Sequence, residues 1–137
     1  MSDVSANLSK ISEVGTEACN RSGRDVSSVQ LIAVSKTFLS DDIRDAVHAG
    51  QFDFGESRLQ EAEPKIAELP GSLHWHFIGR VQRNKVRKLL GLFEVIHAID
   101  SLKLASYTNE IARELGLFPD VFLQVNIGQE LSKGGFE

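Results

Sequence analysis

Residues 73–100, LHWHFIGRVQRNKVRKLLGLFEVIHAID, decide the fold. LHWHFIG at 73–79 is short, aromatic and branched, as a strand requires. QRNKVRKLL at 82–90 spaces Val86, Leu89 and Leu90 on one helical stripe, and Gly91 stops it. FEVIHAID at 93–100 is strand-like again. A strand, a helix and a second strand of this length form a crossover unit with parallel strands, because a tight turn cannot join parallel neighbours.

Working outward, the same cycle recurs. Toward the amino terminus, VQLIAVSK at 29–36 is an unbroken apolar run, predicting a strand covered on both faces. Ser40, Asp41 and Asp42 open a helix that Gly50 ends, and QFDFGE at 51–56 is the next strand. Ser57 to Gln60 has capping-box spacing for the following helix, which Pro70-Gly71 closes. Residues 3–21 form an amphipathic helix carrying Leu8, Ile11, Val14, Ala18 and Cys19. Toward the carboxyl terminus, a helix over 101–115 ends at Gly116, and DVFLQVN at 120–126 is a fifth strand. The reading is an α/β chain, 1–137, of one domain with five βα units over 29–137. Strand ends fall near Lys36, Glu56, Ile78, Asp100 and Asn126, which suits either a (β/α) barrel or an open doubly wound sheet. Five strands do not close a barrel, so a barrel reading makes this an incomplete one.

Composition narrows the function classes. The 137 residues are 42% apolar and carry 15 Lys+Arg against 19 Asp+Glu, a net charge of −4, which disfavours nucleic-acid binding. One cysteine, Cys19, permits no internal disulfide and suits a reducing cytoplasm. The opening residues lack the apolar run of a signal peptide, and no stretch reaches membrane-spanning length. A cytoplasmic, non-membrane protein is expected. Five basic residues fall between Arg80 and Lys88 without an acid, either a solvated helix face or a local anion or partner site.

Several positions point to chemistry. Ile32, Val34 and Lys36 alternate to one side, so Lys36 stands at the carboxyl end of its strand, where ligands bind in both fold options. It is either a strand-end cation reaching solvent or a partly desolvated amine that condenses with an aldehyde. His74 and His76 share a strand face and have the spacing of a zinc pair, with His97 or Asp100 as third ligand; hydrogen-bonded lumen histidines have the same spacing. Glu56 reads as first-turn charge and Ser57 as a helix cap. Gly79 to Lys85 begins a helix with cations nearby, a potential anion site, and Gln82 turns toward the sheet. Neither GxGxxG nor GxxxxGK[ST] is present.

Together LIAVSKT, AGQFDFGESRLQEA, LHWHFIGRVQRNKVRKLLGLFEVIHAIDSLKLA and VFLQVNIGQELSKGGF resemble the pyridoxal phosphate homeostasis protein family, collinearly from about residue 8 onward. The resemblance implies the barrel of the alanine racemase amino-terminal domain, with pyridoxal 5′-phosphate (PLP) held as an internal aldimine on Lys36. It also implies cofactor contacts at Ser57, where the family has Asn in FGEN, and at His76 of the HFIGxxQxNK pattern. No catalytic residue and no metal is implied. The family's phosphate-binding Ser/Gly/Thr loops lie in later strands, so weakened affinity is expected, as is self-association through exposed barrel edges. The implied role is a carrier that passes PLP to PLP-dependent apoenzymes. Other readings are a racemase-like enzyme on the same lysine, a metal-dependent barrel hydrolase on His74 and His76, and an interaction module using the basic helix.

Overall fold

The computed structural model describes residues 3–137; Met1 and Ser2, which open the amino-terminal segment, lie outside it. Five strands and five helices alternate: α1 (Asp3–Ser22), β1 (Ala33–Val34), α2 (Ser40–His48), β2 (Asp53–Glu56), α3 (Leu59–Glu68), β3 (His74–Phe77), α4 (Val86–Leu90), β4 (Val95–Ile99), α5 (Leu102–Leu115) and β5 (Asp120–Leu123). All pairings are parallel, and the strands lie side by side in chain order, β1-β2-β3-β4-β5.

That order chooses between the two architectures left open by periodicity. A doubly wound sheet reverses its strand order and carries helices on both faces. Here the order never reverses. Cα partners in register share a face, so Ala33, Phe54 and Trp75 form one row and Val34, Gly55 and His76 the other. The first row packs into the core with Ile43 and Ala46 of α2, Leu59 and Ala62 of α3, Val86 and Leu89 of α4, and Leu104 and Ile111 of α5. All four crossover helices therefore cover one face. The opposite face is the inner wall of a barrel-type sheet.

The core side is aromatic and close-packed. Phe54 and Trp75 sit at 5.7 Å between ring centroids, and Phe77 meets Phe93 edge-on at 5.1 Å. Burial of side chains this size stabilises by about 1.5–3 kcal/mol each. Helix ends follow sequence logic in part. Ser101 caps α5 by accepting from Leu104 N–H, and Gly116 ends it in the left-handed conformation, φ 66°. Acids stand in the first turn of α2, but its N-cap is Leu39, whose N–H donates to Asp42 at 3.1 Å.

The structure corrects several expectations. Residues 29–36 are not a strand covered on both faces: only Ala33–Val34 is in the ladder, and Val34 is 48% exposed. The reason is position, since β1 is a sheet edge and its second face carries no helix layer. Ser57 does not cap α3. The N-cap is Arg58, because Ser57 is a bend directly after β2, where its carbonyl abuts Gly79. The third helix is shorter than 82–90, opening as a 3₁₀ turn at Arg83–Lys85 before α4. Gln82 is consequently exposed rather than turned toward the sheet. On α1, Cys19 is buried as a packed residue, yet Ile11 and Val14 face solvent. Among the described residues no helix is long and apolar enough to cross a membrane.

Candidate functional site

Barrel sheets present their chemistry at the carboxyl ends of their strands. Beyond β1, Ser35 N–H donates to Gly55 O at 2.9 Å, and Phe38 N–H then closes a turn on Ser35 O at 3.1 Å. Lys36 and Thr37 are the central residues of that turn. Thr37 has φ 69°, a conformation that is costly for a β-branched residue and belongs at the third position of a type II turn. Lys36 is exposed, and no ion pair or side-chain hydrogen bond engages its amine among the described residues. Of the two readings of Lys36, a strand-end cation reaching solvent and a partly desolvated amine, the structure shows the first, because the edge strand leaves the mouth around it open.

Directly behind Lys36 lies a buried polar cluster. Glu56 is fully buried, 0% exposed, on the helix-covered face. Its Oε1 accepts from Ser35 Oγ at 2.9 Å and from Lys65 Nζ at 2.7 Å, while Lys65 Nζ also donates to Ser35 O at 2.9 Å. Glu56 Oε2 is buried with no partner among the described residues. Glu56 is thus no first-turn charge but half of a buried ion pair. Lys65 carries no periodic signal that would have singled it out; its nine-residue separation from Glu56 becomes a contact only when α3 folds back on β2.

The inner wall holds a second network. His76, 4% exposed, places Nε2 at 3.1 Å from Asp53 Oδ1 and Nδ1 at 3.0 Å from His97 Nε2. A carboxylate at Asp53 accepts from His76 Nε2–H, and a neutral His76 then accepts at Nδ1 from His97 Nε2–H. Gln30 Nε2 donates to the same Asp53 oxygen at 2.6 Å. Burial first, and the neighbouring His76 second, hold His97 below the ordinary histidine value. His97 also lies against the Phe122 ring at 4.8 Å.

This arrangement does not suit a zinc pair. His74 turns away to Glu94, its Nδ1 at 2.9 Å from Oε2, and that hydrogen bond raises its pKa above 6.5. Both ring nitrogens of His76 are engaged. Among the described residues no group of three His, Cys, Asp or Glu side chains converges as a metal site. His76 and His97 are hydrogen-bonded residues of the inner wall, and His74 pairs with Glu94 in the open.

Ser57 lies elsewhere again, on a cleft of about 340 Å³ with Arg80, Gln82 and Lys85 over a floor of Phe77 and Leu89. The rest of the basic segment is mostly paired. Arg87 bridges to Glu114, Lys88 meets Glu63 at 2.7 Å, and Arg83 lies over the Tyr107 ring at 4.4 Å. That is a solvated helix face tied to its neighbours, each surface pair being worth little. Of the three residues expected to meet one cofactor, Lys36 and Ser57 stand at adjacent strand ends and His76 lies within the wall; no hydrogen bond joins them.

Whether these residues suit an aldehyde-bearing cofactor turns on Lys36. Lys36 is accessible and unpaired on a defined turn, so an aldehyde can reach its amine, although burial does not activate it. The site fits such a group on that ground.

No family model matches the chain. Individual proteins do. The chain is 45% identical to the pyridoxal phosphate homeostasis protein of Pseudomonas aeruginosa over 98% of its own length and 59% of that protein. It is 38% identical to the protein of that name from Escherichia coli K12, over 100% of its length and 60% of the relative's. Among solved structures, PipY of Synechococcus elongatus superposes with TM-scores of 0.78 without PLP and 0.75 with PLP bound, at 42% identity, covering 90% of this chain and 58% of PipY. A protein of unknown function from Bifidobacterium adolescentis superposes at TM-score 0.85 and 28% identity, covering all of this chain and 62% of that one. The chain spans about three-fifths of the length of these relatives.

Proposed function

Because this chain belongs to the pyridoxal phosphate homeostasis protein family, we propose that it binds PLP through Lys36 and serves as a carrier rather than an enzyme. The observation that supports this most directly is the unpaired, accessible amine on the turn that ends β1. When bound, PLP supplies an aldehyde, which condenses with a primary amine and releases water. Lys36 supplies that amine. The Ser35–Phe38 turn gives it a fixed origin, and Asp53 and His97 hold His76 in the wall below. Ser57, at the end of β2, offers one short hydroxyl beside the same strand ends. Racemisation would require a second acid or base on the other face of the ring, and no reading of these residues supplies one beside Lys36. The 137 residues taken alone are expected to retain PLP weakly, since a fixed anion site normally provides much of the affinity for a phosphorylated cofactor. Transfer to PLP-dependent apoenzymes, and self-association through the edges at β1 and β5, belong to the same proposal.

The test is covalent trapping. The chain is mixed with PLP, reduced with borohydride and mapped by peptide mass spectrometry, alongside Lys36→Ala. Label concentrated on Lys36 and lost in the variant is expected. Label spread evenly over other lysines, or none, overturns the proposal.

A further inference from the structure

We infer that Glu56 and Lys65 form a buried clamp whose task is to hold the strained turn presenting Lys36, making both of them positioning residues; the functional side of this inference rests on the reading above. Ser35 immediately precedes Lys36, and three groups grip it from behind. Its N–H is held by Gly55 O at 2.9 Å, its hydroxyl by Glu56 Oε1 at 2.9 Å and its carbonyl by Lys65 Nζ at 2.9 Å. The same carbonyl accepts from Phe38 N–H, the bond that closes the turn.

Two features of this arrangement are hard to explain by stability alone. Thr37 holds φ 69°, a backbone state that persists for a β-branched residue only when its surroundings over-determine it. Glu56 buries a carboxylate whose Oε2 has no partner among the described residues. A buried ion pair of this kind is at best a weak stabiliser compared with apolar packing, whereas it can fix one conformation against its competitors. What it fixes here is the carbonyl from which the Lys36 turn hangs. Without the clamp, the turn relaxes toward negative φ at Thr37 and the amine of Lys36 loses its defined origin.

The test removes both charges together, Glu56→Gln with Lys65→Met, so that no lone buried charge remains. Amide exchange at Phe38 reads the turn, and exchange at Phe93, which donates to Leu89 O at 2.8 Å, reads the rest of the fold. Phe38 should exchange at least tenfold faster in the double variant while Phe93 is unchanged, as expected for loss of charge-assisted bonds. Adding Thr37→Gly should restore about fivefold of that protection, because glycine adopts positive φ without the steric cost. Should the double variant not fold, Ser35→Ala, which removes only the hydroxyl held by Glu56, decides: Phe38 exchange about threefold faster than in the parent with Phe93 unchanged is expected, and unaltered Phe38 exchange overturns the clamp. Unaltered Phe38 exchange, or acceleration shared equally by Phe93, overturns the clamp. The share of borohydride-trapped PLP on Lys36 should fall in the double variant and rise again with Thr37→Gly. Exchange needs no cofactor, so absence of label from Lys36 in the parent overturns the proposed function and leaves the clamp to be judged by Phe38.

Discussion

Gly79 is the position where one added methyl group should matter most. An ideal Cβ there would lie 2.2 Å from the Ser57 carbonyl oxygen and within 3.0 Å of two further Ser57 backbone atoms. Ordinary carbon contacts sit near 3.5 Å or beyond, so Gly79→Ala must push the ends of β2 and β3 apart by roughly 1 Å. Neither end yields easily. Ile78 N–H donates to Glu56 O at 2.9 Å in the adjoining ladder position, and the Glu56 side chain is anchored to Ser35 and Lys65. Backbone displacement of this sort costs about 1–3 kcal/mol, and weakening the ladder bond adds about 1 kcal/mol. A total loss of about 2–4 kcal/mol would lower a urea midpoint by about 1–2 M for a slope near 2 kcal/mol/M. The matched control is Gly15→Ala, within α1, where nothing lies within 4 Å of the new methyl. There the gain in helix propensity should stabilise by up to about 1 kcal/mol. Opposite signs for the same chemical change are expected from urea unfolding followed by circular dichroism. Equal midpoints for the two variants would refute the reasoning.

Two titrations should also be visible. His97 is held below the ordinary histidine value of 6.5 by burial and by His76, so the unfolded chain takes up the proton first as pH falls. Stability present above 6.5 should therefore be lost progressively on acidification, down through the depressed folded value, and His97→Phe should flatten that loss in urea midpoints measured across the range; an unchanged pH dependence counts against it. His74 is shifted upward by its hydrogen bond to Glu94 and by that carboxylate's charge, and Glu94→Gln should bring its imidazole titration back toward 6.5 in NMR. Because both side chains are largely exposed, the accompanying change in stability should stay under about 1 kcal/mol.

The strands over 73–79 and 93–100 were legible because short segments rich in aromatic and branched residues follow glycines at 71 and 91, and the alternation of strand with helix followed. The side on which the helices lie was not legible: barrel and doubly wound sheets share the same period, and only the unreversed strand order separates them. Ser57 misled because its spacing to Gln60 satisfies a capping box, while its carbonyl packs against Gly79 in the bend that follows β2. Lys36 was placed at the correct end of its strand from alternation alone, yet its exposure depends on β1 being an edge, a property of the sheet rather than of residues 29–36. The partnership of Glu56 with Lys65 had no local signature, since it arises only where a helix folds back over the preceding strand.

The neighbour-to-neighbour pairing of the sheet bears on how the chain reaches its native state. Ala33 pairs with Phe54, Phe54 with Trp75, and Ile96 with Val121, so every ladder joins segments separated by a single crossover. Each closure therefore spans a loop of similar, moderate length, and no strand waits for a partner far along the chain. As synthesis proceeds, each new strand leaving the ribosome meets an existing template beside it. The order in which the message is translated is thus the order in which the wall can be laid.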